Sequence, residues 1–283
     1  MRAGYLGPEG TFSHEALIDA AAGAQLELVS LPTIYDTVMA VHSQLVHRAL
    51  VPIENSLEGS VNATLDALAM ETEDVAILGE VVRPIEHCLI ARRSLDLAEI
   101  ETVVSHPQAS AQCARFIRTR LPQATVLSGN STAEAVRIVA EHEGPWAALG
   151  TRTAAARYGC QVLRAGVEDV TDNETRFVWL GRSGAPPGGP GPGPVSGPWK
   201  TAIVFWGVGS EEPGWLVGCL SEFATRSVNL TRIESRPRKQ GLGRYMFFAD
   251  IEGRDSEDHV AAALEGLRAQ VEVLRSLGSF PAA

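Results

Sequence analysis

Cysteine is scarce and unpaired in this sequence: Cys88, Cys113, Cys160 and Cys219 lie far apart with no CxxC spacing. A chain of 283 residues buries enough apolar surface to need no covalent staples, so the four thiols are expected to be reduced, mostly buried hydrophobes. No run of about 20 apolar residues occurs, and the opening MRAGYLGPEGT lacks the apolar stretch of a signal peptide. A cytoplasmic protein without a membrane partner is expected. The patterns HExxH, GxSxG and GxGxxG are missing, and no cluster of His with carboxylates has ligand spacing. Metal centres and hydrolase elbows are therefore unsupported, and neither metal nor cofactor is expected. Lysine is absent from residues 1–199, which rules out a Walker loop. His42, His47 and His142 fall on charged or polar helix faces and are expected to face solvent.

Positive charge is also in deficit. The chain carries 24 Lys and Arg against 34 Asp and Glu, a net of −10, and residues 1–199 alone account for −9. Nucleic acid is disfavoured as a partner, because phosphate contacts need a positive face. An anionic ligand would need a local pocket of arginine and backbone N–H groups.

Glycine and proline concentrate between Gly181 and Pro198, where 7 of 18 residues are Gly and 6 are Pro. Such a segment has neither apolar area nor regular spacing, and reads as a linker over 181–198. It separates a domain of residues 1–180 from one of residues 199–283. The first alternates strands with helices: strands at 3–6, 26–29, 49–53, 102–105 and 147–149, another ending at 126–127, and helices at 13–22, from Thr33, from Ser60, at 107–118, 131–141 and from Thr151 to Gly159. Thr33 with Asp36 and Ser131 with Glu134 make capping signals. This is α/β architecture with mainly parallel sheets, in which the loops at carboxyl ends of strands carry the chemistry. The second domain reads as βαββαβ, a small ferredoxin-like unit: strands 201–208, 229–237, 245–252 and 271–277, helices 214–226 and 259–269.

Five corners of the first domain hold neutral donors: Gly7–Thr11, Glu54–Ser60, Ser105–Gln108, Asn130–Thr132 and Asp172–Phe177. Together they suggest a pocket for a small, polyoxygenated anion. Arg176, with its planar fork, is the natural carboxylate clamp, and Thr175 beside it offers a positioned O–H donor.

These loops resemble those of monofunctional bacterial prephenate dehydratases. The matching segments are GYLGPEGTFSHEA at 4–16, VPIENSLEGSV at 51–61, SHPQASAQC at 105–113, NSTAEAV at 130–136, GT at 150–151 and DNETRFVWL at 172–180. The resemblance implies a periplasmic-binding-protein-like catalytic domain. Lobe one would comprise about residues 1–75 and 165–180, lobe two about 78–160, with the active site in the cleft between them. It implies conversion of prephenate to phenylpyruvate with loss of carbon dioxide and water. Thr175 would assist departure of the ring hydroxyl, with Asn55 and Ser56 as its catalytic surround. Thr11, Glu58, His106, Gln108, Asn130, Ser131, Thr132 and Phe177 would hold the substrate and Arg176 its side-chain carboxylate. His106 is expected chiefly to start a helix within the cleft, and Glu58 to orient Asn55 or face water.

The second domain is similar to the ACT regulatory domain of these enzymes, with NLTRIESRP at 229–237. The resemblance implies L-phenylalanine as effector, bound between paired ACT domains in a homodimer or homotetramer. The segments concerned are Gly214-Trp215-Leu216-Val217 and Glu234-Ser235-Arg236-Pro237. Trp215 stands where the family usually has alanine, so it either covers the dimer seam or reshapes effector binding. Two other functions remain open on sequence: an arogenate dehydratase, and a two-lobed anion-binding protein without catalysis. A fused chorismate mutase is disfavoured because no long helical segment precedes Gly4.

Overall fold

The computed structural model describes residues 1–21, 23–190, 197–207, 209 and 212–283. The chain begins with β1 (Arg2–Leu6), α1 (Phe12–Ala20), β2 (Glu27–Leu31), α2 (Ile34–His42), β3 (Arg48–Asn55), β4 (Gly59–Ser60), α3 (Asn62–Asp66) and β5 (Val75–Pro84). Then come β6 (Cys88–Ala91), β7 (Thr102–Ser105), α4 (Pro107–Gln112), α5 (Ala114–Arg120), β8 (Thr125–Ser128), α6 (Thr132–Glu141), β9 (Trp146–Gly150), α7 (Arg152–Arg157) and β10 (Gln161–Ala165). Strand β11 (Glu174–Arg182) returns to the first lobe.

Local chemistry starts the helices where hydroxyls were available. Thr11, Thr33, Ser131 and Thr151 each accept the backbone N–H three residues on, relieving one of the four unpaired donors at a helix start. Tertiary contacts override the local pattern at two places. The helix expected over 107–118 breaks at Cys113, because Asp169 accepts the N–H groups of Arg115 and Phe116 and caps a separate α5. Ser60 starts no helix but pairs with Glu54 in the short β4, and α3 follows.

Two mixed sheets result rather than mainly parallel ones. The first has the order β2-β1-β3-β11-β5 with β4 beside β3, the second β10-β6-β9-β7-β8. The β1, β2 and β3 pairings are parallel, whereas β11 runs antiparallel to both β3 and β5. In the second sheet β7 is parallel to β8 and β9, while β6 is antiparallel to β9 and β10. Since β5 belongs to the first sheet and β10 to the second, the chain crosses between lobes at residues 85–87 and again at 166–173. The sequence expectation put those crossings near 75–78 and 160–165. Strand β11 also runs two residues into the segment read as linker, pairing Gly181 with Ala76 and Arg182 with Val75. The next residues stay folded against β5, with Gly188 N–H donating to the Leu78 carbonyl at 2.5 Å. Residues 191–196 of that segment lie outside the described residues.

The C-terminal unit comprises β12 (Trp199–Trp206), α8 (Trp215–Ala224), β13 (Leu230–Pro237), β14 (Tyr245–Glu252), α9 (Asp258–Arg268) and β15 (Val273–Pro281), the ferredoxin-like sequence of elements. Its antiparallel sheet has the order β13-β14-β12-β15. Helices α8 and α9 cover one face, through Phe205, Cys219, Phe223, Ile251 and Leu267. The other face joins the first lobe in one continuous core, where Val204, Phe248 and Phe280 pack with Leu65, Leu68, Ile77 and Val178. Gly278 marks the closest approach: a Cβ there would lie 2.1 Å from the Ile77 carbonyl oxygen.

All four cysteines are free. Burial pushes the thiols of Cys88 and Cys219 up to about 11, so they stay protonated and unreactive near neutrality. No helix among the described residues is long and apolar enough to cross a membrane. Among the same residues no group of three or more His, Cys, Asp or Glu is placed to hold a metal ion.

Candidate active site

A cleft of about 370 Å³ opens between the two lobes, within the size range of small-molecule sites. Three helix starts converge on it. Thr11, Phe12 and Ser13 come from α1, His106 and Gln108 from α4, and Asn130, Ser131 and Thr132 from α6. The strand ends supply Asn55 from β3 and Thr175 and Phe177 from β11. Helix starts carry unpaired N–H groups and a partial positive charge, so together they favour an anion without any formal cation. None of the lining residues is arginine or lysine. The lobes are held close beside the cleft by Thr151, whose hydroxyl donates to the Gly10 carbonyl at 2.7 Å. Gly10 has φ +91°, and a Cβ there would meet Ala154 at 3.1 Å, so glycine lets the two lobes touch.

Thr175 and Asn55 form the polar centre of the cleft. Asn55 Nδ2 donates to Thr175 Oγ1 at 2.9 Å and to Asn173 Oδ1 at 2.7 Å. Its Oδ1 accepts the backbone N–H groups of Leu57 and Glu58 at 3.0 and 3.1 Å, which fixes the amide orientation. Thr175 Oγ1 is thus an acceptor in this contact, and its own proton is left for a ligand. Both side chains are almost fully buried, so these neutral contacts act in a low dielectric.

Arg176 does not line the cleft. Successive residues of a strand point to opposite faces, so with Thr175 and Phe177 facing the cleft, the guanidinium passes to the back of the sheet. There Nε donates to Glu80 Oε2 at 2.6 Å and Nη1 to Asp250 Oδ2 at 2.5 Å, with Glu54 at 3.4 Å. Burial alone would lower the Arg176 pKa, but Asp250 and Glu80 more than offset it and raise it. The expected carboxylate clamp is therefore corrected: this cation is occupied by protein carboxylates. Ser56 also lies outside the cleft. Its Oγ accepts the Glu174 N–H at 2.9 Å and its own N–H donates to the Glu174 carbonyl, stapling the loop before β11 to the end of β3. Glu58 is exposed and accepts from Gln112 Nε2 at 3.3 Å.

With this geometry in view, the comparisons with known proteins are decisive. Residues 3–185 match the family model described as prephenate dehydratase. A prephenate dehydratase of Mycobacteroides abscessus is 38% identical over 287 residues, covering 99% of this chain and 90% of that protein. The chain belongs to the prephenate dehydratase family. It is a lyase-type dehydratase. The crystal structure of the Arthrobacter aurescens prephenate dehydratase in complex with L-Phe superposes with a TM-score of 0.87 at 36% identity, covering 99% of this chain and 89% of that one. A structure described as GqqA, a novel type of quorum quenching acylase, has a TM-score of 0.84 at 30% identity, covering 100% of this chain and 98% of that one.

The dehydratase cleft contains residues that sequence reasoning did not single out. His87, 2% exposed, meets Gln112 Oε1 through Nε2 at 2.9 Å, an oxygen that can only accept. Asn173 Nδ2 donates to the same oxygen at 3.1 Å, so the His87 contact is a donation from Nε2–H. A chain of hydrogen bonds therefore runs His87–Gln112–Asn173–Asn55–Thr175. Burial depresses the His87 pKa, with Gln112 opposing it in part, so the ring is neutral. Gln112 was within reach of sequence reasoning, lying one helical turn after Gln108 on the same face. Asn173 lies within the matched DNETRF segment, but nothing in the local sequence around His87 signals a cleft residue.

The candidate effector residues of the dehydratase lie at the start of α8 and along the edge strand β13. Gly214, φ +87°, precedes α8, and Val217 is exposed while Leu216 packs inward. Trp215 turns into the core against Phe205 and Phe247, and its Nε1 donates to the Gln270 carbonyl at 3.3 Å. On the edge strand β13, Ser235 and Pro237 are exposed. Glu234 and Arg236 face the first lobe, where Glu234 accepts from Ser60 Oγ at 3.0 Å and Arg236 grips Asp66 with both arms of its fork.

Proposed function

We propose that this enzyme dehydrates and decarboxylates prephenate to phenylpyruvate, and that residues 199–283 form an ACT domain through which L-phenylalanine regulates it. The reaction is driven by aromatisation: the electron pair of the breaking bond to the ring carboxylate enters the ring as carbon dioxide leaves, and the ring hydroxyl departs. Hydroxide is a poor leaving group unless it receives a proton or a strong hydrogen bond as the bond breaks.

The observation that carries this reading is the Asn55 Nδ2 to Thr175 Oγ1 contact of 2.9 Å. An amide donating to the threonine oxygen spreads the negative charge that builds there as its proton moves toward the leaving oxygen. The neutral helix starts hold the dianion without a cation on the ring carboxylate, whose charge must disappear in the transition state. A nucleophilic threonine, as an acylase would require, needs a base to take its proton. Thr175 has a donor beside it instead, which favours the dehydratase reading.

Support for regulation comes from the βαββαβ topology and from the L-Phe held by the Arthrobacter aurescens relative. The edge strand β13 leaves Ile233 and Ser235 exposed beside unpaired backbone, suited to pairing with a second copy in a homodimer or homotetramer. Effector would then lie between the Gly214–Val217 turn and Glu234–Pro237. The inward Trp215 supports a packing role for the indole rather than a seam.

The deciding experiment is turnover of prephenate by purified enzyme, read as phenylpyruvate absorbance in base, with arogenate in parallel. Thr175→Ala is expected to keep its fold and substrate affinity and to lose roughly 100-fold or more in kcat. Normal turnover in that variant rejects the role given to Thr175.

A further inference from the structure

We infer that Arg176 is a positioning residue for Thr175, anchored from the back of the sheet by one carboxylate of the catalytic lobe and one of the C-terminal unit. The inference rests on Thr175 being the group that acts on the leaving hydroxyl. Arg176 sits between Thr175 and Phe177 on β11, so any displacement of its backbone moves both cleft residues. Its guanidinium is held in two directions, by Glu80 on the neighbouring β5 and by Asp250 on β14.

The backbone ladder needs this help at that point. On the β3 side the register slips between Arg176, opposite Glu54, and Phe177, opposite Pro52. Ile53 has no counterpart on β11, its carbonyl accepting the Val61 N–H instead, and Pro52 has no N–H to give. The strand segment that carries Thr175 thus has an interrupted ladder on one flank, where a side-chain anchor acts most strongly.

The anchor is itself rigid. Asp250 is fully buried, and it also accepts Arg232 Nε at 3.0 Å; Glu80 also accepts Lys200 Nζ at 2.8 Å and the Ala283 N–H at 3.1 Å. Among the described residues Arg176 Nη2 is buried without a partner, and the weaker contact to Glu54 at 3.4 Å lies on the same Nη1 that Asp250 holds at 2.5 Å. Because Asp250 and Lys200 belong to the C-terminal unit, the placement of that unit against the lobe is felt one residue away from the reacting hydroxyl.

Substitution of Arg176 is tolerable on charge grounds, since Glu80 retains Lys200 and Asp250 retains Arg232. Steady-state kinetics on Arg176→Gln, in the full-length enzyme with prephenate, is expected to show kcat lowered roughly 10- to 100-fold with KM within about threefold. Arg176→Lys, which reaches only one carboxylate, is expected to recover part of the loss. Arg232→Gln, an equally buried cation of the same network that does not sit on β11, is expected to leave kcat within about twofold. A rise in KM with kcat preserved overturns the inference in favour of substrate clamping. Equal losses in Arg176→Gln and Arg232→Gln overturn it in favour of general cohesion, as does an unchanged kcat. Should Arg176→Gln fail to fold, Asp250→Asn carries the same test, with a smaller expected loss in kcat because Glu80 still holds Nε, and an unchanged kcat again overturning it. If Thr175→Ala is itself active, the reading of the site fails; if it is inactive while Arg176→Gln turns over normally, only this inference falls.

Discussion

At the scale of single residues, the cleft works with neutral groups held in fixed protonation states. His14 accepts the Gly10 N–H through Nδ1 and stacks on Tyr5, and His87 donates to Gln112. Burial holds the pKa of both below the ordinary 6.5, with Gln112 opposing it at His87. Unfolded imidazoles take up protons as the pH falls through about 6.5 while the folded ones lag, so the unfolded state binds more protons. The stability they contribute is complete above that pH and is lost as pH falls toward their folded pKa. The melting temperature is expected to drop from about pH 7.5 to 5.5, and less steeply in His87→Gln; parallel curves for the two proteins would discount His87. Most cleft residues were legible in the sequence because hydroxyls and amides at strand-to-helix corners have few other reasons to cluster. Arg176 reads as a cleft residue because Thr175-Arg176-Phe177 are adjacent letters, whereas a strand sends its middle residue to the other side.

At the scale of elements, strand and helix existence followed from periodicity and caps, and the exceptions have tertiary causes. The break at Cys113 depends on Asp169, more than fifty residues away in sequence, and no local pattern announces it. Strand β5, ten residues from Val75 to Pro84, was missed because it is paired with the returning β11, a partner chosen only after the chain has crossed both lobes. Its contact with β15 is equally invisible in sequence, yet it sets a hard limit at Gly278. That residue has φ +140°, and its missing Cβ would collide with the Ile77 backbone. Gly278→Ala is expected to cost about 1–3 kcal/mol from overpacking and strain, measured as a lower denaturant midpoint; an unchanged midpoint would mean that β15 can slide away from β5 at no cost.

At the scale of the whole molecule, the Pro- and Gly-rich segment reads as a loose tether in sequence, but the two units it joins share one apolar core. The sheet of the C-terminal unit rests directly on the lobe that holds Thr175, and the Arg176 network lies within that contact. Residues 1–199, of net charge −9, also surround a cleft with no arginine or lysine among its described lining residues. A dianion approaching it climbs a repulsive field and is rewarded only on arrival, by dipoles whose reach ends within a helical turn. Added salt therefore screens an obstacle rather than an attraction: kcat/KM is expected to rise between about 10 and 150 mM salt, over which the Debye length shrinks from about 30 to 8 Å. A fall over that range would reveal a cationic approach route. Capture here is a matter of short-range fit, and for the reaction proposed above the enzyme trades speed of encounter for a chamber where no fixed charge competes with the one to be expelled.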